Sequence, residues 1–277
     1  MSRYSILIDV TKCNGCHNCF LACRDEHFGN DYPGYSAAQP VHDQFWMQIK
    51  EIERGAFPQP KVSYIATPCQ HCADAPCITA GRDGAVYRRD DGIVVIDPEK
   101  AKGQKDIVNA SPYRVIYWNA ESQLPQKCVM CAHRLDEGEK QPRCVESCPT
   151  GALMFGDLDD PKSDIAKRAA AADVEVLRPE FNTNPLVKYI GFPKRFIAGE
   201  VVLKGKEDEC ARGVKITLKG DGKKMETVSD VYGDFEFEGL ANNTAYQITV
   251  EEKGYAAMTI AVTTQTNVNL GEVVLEP

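Results

Sequence analysis

The sequence predicts an α+β protein with a cysteine-rich front part of short strands and helices and an all-β sandwich behind it. Three observations predict this fold class. Eleven of the twelve cysteines lie before residue 149. From about residue 196 onward, apolar and polar residues alternate in seven short runs separated by Gly and Asn. A length of 277 residues also suits two domains, which we place at residues 1–195 and 196–277.

The front part begins with four closely spaced cysteines, Cys13, Cys16, Cys19 and Cys23. Their spacing, C-x2-C-x2-C-x3-C, is typical of ferredoxin-like proteins, in which three thiolates hold one iron–sulfur cluster and the fourth reaches a second cluster. Zinc is the competing interpretation, but zinc sites usually combine two such cysteines with a distant second pair. Disulfides between thiols two residues apart are strained. The run therefore predicts an electron carrier.

Two further cysteine groups follow in the front part. They are Cys69, Cys72 and Cys77, and then Cys128, Cys131, Cys144 and Cys148. Cys148 precedes Pro149 and a predicted strand, which is a recurrent ending of ferredoxin-like domains. So many clustered thiols indicate a reducing compartment, because an oxidising one would convert them to disulfides.

Local patterns predict the elements between these cysteines. Strands are expected at residues 3–9, 85–88, 93–96, 113–118 and 151–155, and helical segments at residues 20–27, 98–102 and 160–172. Residues 29–60 are rich in Gly, Pro and aromatic residues and predict an irregular insertion. Residues 174–194 contain three prolines and predict a linker.

Charge and hydropathy exclude several classes of partner. A net charge of −8 does not favour binding to nucleic acid or to an anionic membrane surface. No apolar run approaches the ~18 residues needed to span a bilayer, and the first residues resemble neither a signal peptide nor a twin-arginine signal. We therefore expect a cytoplasmic protein that binds no nucleic acid and has no membrane span.

The cysteine groups resemble those of the iron–sulfur subunits of molybdenum enzymes related to dimethyl sulfoxide reductase. Those subunits carry four cysteine groups and four 4Fe–4S clusters in two ferredoxin-like halves. In each half, the last cysteine of one group completes the cluster of its partner group. The resemblance implies one cluster on Cys13, Cys16, Cys19 and Cys148, and another on Cys128, Cys131, Cys144 and Cys23.

One cysteine group of the family has no counterpart here. Aligning its final Cys-Pro on Ser111-Pro112 places its other three ligand positions at Ala101, Gln104 and Ile107. The fourth ligand of the same cluster falls on Gly81. All four ligands of one cluster are missing together, so the resemblance implies three 4Fe–4S clusters.

The remaining cluster keeps Cys69, Cys72 and Cys77 and takes its fourth ligand from position 111. The family's pairing rule therefore implies that Ser111 binds iron through an alkoxide oxygen. Alternatives are a three-iron cluster, a carboxylate ligand from Asp83 or Asp74, and a simple turn role for Ser111. His17, His71 and His133 adjoin cysteines, and we expect them to be neighbours of the clusters or surface residues.

The back part also carries a resemblance. The pattern D-x2-G-x-F-x-F-x2-L over residues 230–240, followed by Tyr246, resembles the prealbumin-like, carboxypeptidase-regulatory type of sandwich. The resemblance implies a module without catalytic residues, in which Cys210 is a buried or idle thiol. The seven predicted strands are residues 197–203, 214–219, 225–229, 235–238, 245–251, 257–263 and 268–275.

A deleted cluster, no membrane anchor and a C-terminal sandwich together resemble, within this family, the small subunits of molybdenum transhydroxylases that act on trihydroxybenzenes. The resemblance implies a non-catalytic electron-transfer subunit paired with a large catalytic subunit. That partner would hold molybdenum on two pterin guanine dinucleotides, and larger assemblies of the heterodimer are compatible with the sequence. Two alternatives are a soluble respiratory molybdenum reductase and a mainly structural scaffold subunit that carries clusters.

Overall fold

The computed structural model describes residues 3–277, so residues 1 and 2 of the first predicted domain lie outside the described residues. The chain forms two compact units. Unit 1 comprises the residues up to 52 together with 63–192, and unit 2 comprises 53–62 together with 193–277. The segment 53–62, which the sequence pattern assigns to the first domain, therefore groups with the second unit. Within residues 3–277, every helix is too short or too polar to cross a membrane.

Short strands and helices alternate with long loops before residue 193. The strands are β1 Tyr4–Asp9, β2 Gln48–Arg54, β3 Lys61–Thr67, β4 Val86–Arg88, β5 Val94–Ile96, β6 Tyr117–Asn119, β7 Leu124–Gln126, β8 Leu153–Asp157, β9 Val174–Glu175 and β10 Lys188–Ile190. The helices are α1 Asn18–His27, α2 Pro76–Ala80, α3 Asp106–Asn109, α4 Ala132–Asp136, α5 Arg143–Glu146 and α6 Asp164–Ala170.

A four-stranded sheet in the order β8-β1-β10-β9 organises unit 1. β1 is antiparallel to β8, with Ile8 opposite Leu153, and parallel to β10. Both faces of β1 are covered, because Ile6 and Ile8 pack in the main core while Leu7 packs against Ile165 of α6. A strand that is buried on both faces has a continuous run of apolar residues in its sequence. The antiparallel pairing places the residues after β1 and those before β8 at one edge of the sheet.

Unit 1 departs from the sequence prediction in two segments. The predicted linker at 174–194 contributes β9 and β10, which pair with each other, while β10 also pairs with the distant strand β1. The predicted irregular insertion at 29–60 contains β2, which pairs with β3. β2 is largely exposed, so its charged sequence lacks the apolar alternation of a half-buried strand.

One predicted helical segment, residues 160–172, is shorter than expected. α6 begins at Asp164 because the hydroxyl of Ser163 accepts a hydrogen bond from the amide of Ala166 (3.2 Å) and so caps the helix. Residues 98–102 form the expected helical turn, in which the Asp97 carboxylate accepts hydrogen bonds from the amides of Glu99 and Lys100 and the Ala101 amide donates one to the Asp97 carbonyl oxygen (3.0 Å).

Unit 2 is built mainly from seven strands after residue 193. These are β11 Arg195–Leu203, β12 Lys215–Gly220, β13 Lys223–Val228, β14 Asp234–Leu240, β15 Ala245–Glu251, β16 Met258–Thr263 and β17 Val268–Leu275. They form a three-stranded sheet, β14-β11-β17, and a four-stranded sheet, β13-β12-β15-β16. Leu218 and Ile248 of one sheet share a core with Phe235 and Phe237 of the other. The result is a two-sheet sandwich, in which Cys210 is exposed and forms no disulfide.

The turn before β14 explains the pattern over residues 230–240. The carboxylate of Asp230 accepts hydrogen bonds from the amides of Tyr232 (2.8 Å) and Asp234 (3.0 Å). Gly233 has a φ of +92°, and a Cβ there would lie 2.9 Å from the carbonyl oxygen of Val201. Both the conformation and the close carbonyl require glycine at this position.

Lys61 connects the segment 53–62 with the sandwich strands. Its ammonium forms ion pairs with the carboxylates of Glu236 and Glu238 in β14. The same ammonium lies 5.1 Å from the centre of the Phe196 ring in β11. These contacts explain why a segment that interrupts unit 1 in sequence belongs to unit 2 in space.

Candidate iron–sulfur cluster sites

The first set of thiols lies at the edge of the sheet where β1 ends and β8 begins. The amide of Asp9 donates a hydrogen bond to the carbonyl oxygen of Ala152 (2.8 Å), which extends the pairing of these two strands. Burial, together with the neighbouring thiols of Cys13 and Cys148, raises the pKa of Cys19 to about 12. The structure thus brings together Cys13, Cys16, Cys19 and Cys148.

Gly15 allows the first cysteine loop to turn against an aromatic ring. Its φ is +71°, and a Cβ at this position would lie 2.7 Å from ring atoms of Tyr64. His17 also has a positive φ of 60°, precedes α1 and is exposed. Glycine at residue 15 is therefore required by both the backbone conformation and the close ring.

The second set of thiols lies where α1 packs against α5. Burial raises the pKa of Cys144 well above its usual range, and the thiols of Cys131, Cys23 and Cys128 raise it further. Met130 and Cys131 have φ angles of 49° and 50°, and the Met130 amide donates a hydrogen bond to the Cys128 sulfur (3.3 Å). Loops that turn successive amides inward bind anions, including iron–sulfur clusters. The structure thus brings together Cys23, Cys128, Cys131 and Cys144.

The third set of thiols lines a small cavity together with Ser111. Burial and the nearby thiols of Cys69 and Cys77, opposed by a hydrogen bond from Thr183, together raise the pKa of Cys72 to about 11. Within the part of the chain that the structure describes, the Ser111 hydroxyl has no hydrogen-bond partner. The structure therefore brings an uncommitted oxygen to a cavity that already holds three thiols.

The two carboxylates considered as alternatives to Ser111 do not line this cavity. Asp83 is exposed and has a φ of 54° in the turn before β4. Asp74 is also exposed, and its carboxylate accepts a hydrogen bond from the side-chain amide of Asn184. Neither side chain is positioned as the oxygen donor to the third set.

The four positions of the missing cysteine group are filled by other interactions. Ala101 and Ile107 are fully buried in an apolar cluster that includes Val86. The Gln104 side chain accepts a hydrogen bond from the Arg82 amide (2.9 Å) and donates one to the Lys100 carbonyl oxygen (2.7 Å). A Cβ added to Gly81 would lie 2.8 Å from a methyl carbon of Val86. These four positions are therefore occupied by apolar packing and by side-chain hydrogen bonds.

The chemistry of the three sets fits iron–sulfur clusters. All twelve cysteines are free thiols, and burial raises the pKa of eight of them. Buried thiols become thiolates when a metal ion replaces the proton, and soft thiolates in sets of three or four favour iron–sulfur clusters. Among residues 3–277, no group of three His, Cys, Asp or Glu side chains is arranged to hold a single metal ion.

Cys148 differs electrostatically from the other ligand thiols. Burial opposes ionisation here as well, but hydrogen bonds from the amides of Leu153, Ala152 and Thr150 hold the pKa of Cys148 below its usual value. These amides belong to the turn that leads into β8. The edge of the sheet therefore supplies both the thiol and the donors that stabilise its thiolate.

Lys127, which lies directly before Cys128, is a residue that the sequence pattern did not single out. This lysine is only 1% exposed, and its ammonium donates hydrogen bonds to the carbonyl oxygens of Val94 and Cys128. Lysine is almost never fully buried without a partner, so composition offers no signal for it. The sequence shows only that a lysine stands directly before the pair Cys128 and Cys131, which gives no indication that it is buried.

The histidines beside the cysteines have different environments. His71 and His133 are buried, whereas His17 is exposed. His133 pairs through Nε2 with the carboxylate of Glu26 (2.9 Å). His71 lines the cavity of the third set, and its Nδ1 accepts a hydrogen bond from the Val94 amide (3.1 Å).

Comparisons with known proteins show the family to which the chain belongs. A family model described as a 4Fe–4S dicluster domain matches residues 60–158. The pyrogallol hydroxytransferase small subunit of Pelobacter acidigallici is 39% identical, with 98% of each chain covered. An iron–sulfur subunit assigned to dimethyl sulfoxide reductase in Halobacterium salinarum is 34% identical over 69% of this chain and 79% of its own. A subunit of the tetrathionate reductase of Salmonella typhimurium is 36% identical over 70% of this chain and 75% of its own. The chain belongs to the family of iron–sulfur electron-transfer subunits of molybdenum enzymes related to dimethyl sulfoxide reductase.

Proposed function

We propose that this chain is the iron–sulfur subunit of a molybdenum transhydroxylase that converts pyrogallol to phloroglucinol. The observation that carries the proposal is the similarity to the Pelobacter acidigallici small subunit, which covers 98% of both chains and so includes the sandwich. The two reductase subunits match only 69% and 70% of this chain. The partner would be a large catalytic subunit that holds molybdenum on two pterin guanine dinucleotides. This heterodimer is then the unit from which any larger assembly forms.

We propose three 4Fe–4S clusters in this chain, each held by one of the sets described above. Their ligands are Cys13, Cys16, Cys19 and Cys148; Cys23, Cys128, Cys131 and Cys144; and Cys69, Cys72, Cys77 and Ser111. The proximity of the thiols in each set supports the assignment, as does the cavity that Ser111 shares with three of them. The apolar packing of Ala101 and Ile107 supports the absence of a fourth cluster.

The clusters would supply one-electron chemistry, while the residues of this chain bind them, exclude water and stabilise their sulfur ligands. The buried thiols of Cys23, Cys128, Cys131 and Cys144 would keep solvent from the iron that they hold, and the Met130 amide donates a hydrogen bond to the Cys128 sulfur. Reaction at the substrate would take place in the large subunit. The clustered thiols require reducing conditions, which supports a cytoplasmic location that cell fractionation can test.

We also propose that the sandwich is of the prealbumin-like type and that it docks or shields the large subunit. Its seven strands and the turn around Gly233 support this type. Residues 193–277 contain a single cysteine and no histidine, so the sandwich offers no evident set of reactive side chains. A docking role therefore suits it better than a chemical one.

The function is tested on the native complex. We expect a molybdenum-containing large subunit to co-purify with this chain and the complex to convert pyrogallol without an external electron acceptor, because transhydroxylation is redox-neutral overall. An obligatory acceptor would instead favour a respiratory reductase. Rapid-freeze electron paramagnetic resonance would then separate an electron carrier, whose clusters change oxidation state during turnover, from a scaffold, whose clusters do not.

The cluster count predicts the iron content. An anaerobically prepared complex should contain about twelve irons per small subunit, because each of three clusters holds four irons. Iron and acid-labile sulfide analysis, normalised to this chain, measures the value. About sixteen irons, or bound zinc in place of iron, would contradict the assignment.

Ser111 predicts the behaviour of one cluster. An alkoxide is a harder and more strongly donating ligand to oxidised iron than a thiolate, so Ser111→Cys should raise one of the three reduction potentials and leave two nearly unchanged. Ser111→Ala should weaken or remove the same cluster. Asp83→Ala and Asp74→Ala are the matched controls, and both should keep this cluster. If either control loses the cluster while Ser111→Ala keeps it, the replaced carboxylate is the ligand and Ser111 is not.

A truncation tests the sandwich. Deleting residues 193–277 should preserve all three cluster signals, because every proposed ligand lies before that point, while weakening assembly with the large subunit. Docking alone predicts full activity once the truncated subunit is supplied at saturation. A changed KM at saturation would mean that the sandwich also covers the substrate entrance, and loss of cluster signals would contradict both roles.

A further inference from the structure

Lys127 is a fully buried cation, and none of the described carboxylates pairs with it. Its ammonium donates hydrogen bonds to the carbonyl oxygens of Val94 and Cys128, the latter at 3.1 Å. Among residues 3–277, no carboxylate forms an ion pair with it. An ammonium carries three donors, and burying one is costly unless an anion lies close to it. The surroundings of Lys127 should therefore contain a negative group that the protein's own carboxylates do not supply.

Two sets of cluster ligands lie close to this ammonium. The ammonium donates a hydrogen bond to the carbonyl oxygen of Cys128 (3.1 Å), which belongs to the second set. It donates another to the carbonyl oxygen of Val94, a residue that lines the cavity of the third set together with Cys77. Cys77 and Cys128 belong to different sets, so a single cation acts on both. Clusters held by thiolates are anionic and would provide the missing counter-charge.

His71 supplies a second feature of the same kind. It is 1% exposed, and its Nδ1 accepts a hydrogen bond from the Val94 amide (3.1 Å), so the ring carries its hydrogen on Nε2. Nε2 is buried without a hydrogen-bond partner within residues 3–277. Because His71 lines the cavity it shares with Ser111, a ligand or sulfide in that cavity is the available acceptor.

The peptide groups of Val94 hold both side chains. Its carbonyl oxygen accepts from Lys127 and its amide donates to His71. Val94 lies at the start of β5 and is itself only 1% exposed. The backbone of Val94 in the β4–β5 hairpin therefore holds the Lys127 ammonium and the neutral His71 ring beside the third set of thiols.

We propose that Lys127 and His71 are positioning residues that raise the reduction potential of the cluster at Cys69, Cys72, Cys77 and Ser111, with Lys127 also raising that of the neighbouring set containing Cys128. Reduction adds one negative charge to a cluster, and a fixed cation or hydrogen-bond donor stabilises the reduced form. The alkoxide of Ser111 acts in the opposite direction. The pair therefore offsets the effect of the oxygen ligand. This inference rests on the ligand sets assigned under the proposed function.

Redox titration of the intact complex, followed by electron paramagnetic resonance, tests the proposal. Lys127→Met removes the charge with little change in length. At a fixed applied potential, we expect this variant to lower the ratio of reduced to oxidised cluster at the third set tenfold or more. A tenfold change corresponds to a shift of about 59 mV in the reduction potential for one electron. We expect the ratio of reduced to oxidised cluster at the Cys128 set to fall as well. The Cys13 set should not change. His71→Asn keeps an acceptor for the Val94 amide but removes the Nε2 donor, and should lower only the third set.

Two controls separate charge from packing. Lys188→Met removes a half-buried lysine of the same unit whose pKa is lowered by burial and by Arg3, not by any thiol, and should leave all three potentials unchanged. Lys127→Arg keeps the charge and should preserve the potentials. If Lys127→Arg shifts them as much as Lys127→Met, packing is responsible and the proposal is overturned.

Iron content distinguishes failure of this proposal from failure of the proposed function. Three clusters with unchanged potentials in both Lys127→Met and His71→Asn would overturn the role of the pair while leaving the function intact. Fewer than three clusters in the wild-type complex would overturn the ligand assignment before any potential is measured. If Lys127→Met does not assemble, Lys127→Gln carries the same test, and an unchanged potential there likewise overturns the proposal.

Discussion

The antiparallel pairing of β1 with β8 is the constraint on which the cluster-binding part of the structure depends. With Ile8 opposite Leu153, the loop after β1 and the turn before β8 lie at the same edge of the sheet. Cysteines far apart in sequence, such as Cys13 and Cys148, meet there. The same turn supplies amides that stabilise the Cys148 thiolate. Backbone hydrogen bonds therefore decide which thiols share a site, and a slip of the register would separate them.

Burial of the thiols affects both the loss of their protons and the packing around them. Burial raises the pKa of Cys23 and of Cys144 well above the usual range, so iron binding at these thiols would have to displace protons that burial holds in place. The same logic explains the complete replacement of the missing group. A partial set of buried thiols would leave an unfilled cavity, whereas Ala101 and Ile107 restore ordinary apolar packing.

Charge balance connects the thiol sets with the surrounding fold. Lys127 is buried beside ligands of two sets and has only carbonyl oxygens as hydrogen-bond acceptors among the described residues, which is unfavourable for a protein interior that holds no anion. Anionic clusters would make the same position favourable. The β4–β5 hairpin, which carries no ligand, therefore contributes to the sites through the peptide groups of Val94.

Cysteine spacing by itself indicated the class of cofactor, because the ligands of one loop lie close together in sequence and so meet in any fold. The resemblance of the cysteine groups to those of known subunits indicated the family, and the similarity to those subunits confirms it. Period-two alternation similarly predicted strands close to β11–β17. Only the tertiary structure decided that β10 of the predicted linker pairs with β1, that Asp74 and Asp83 lie outside the lining of the third set's cavity, and that Lys127 is buried. These features depend on contacts between segments distant in sequence, where packing and burial act and local residue patterns carry no information.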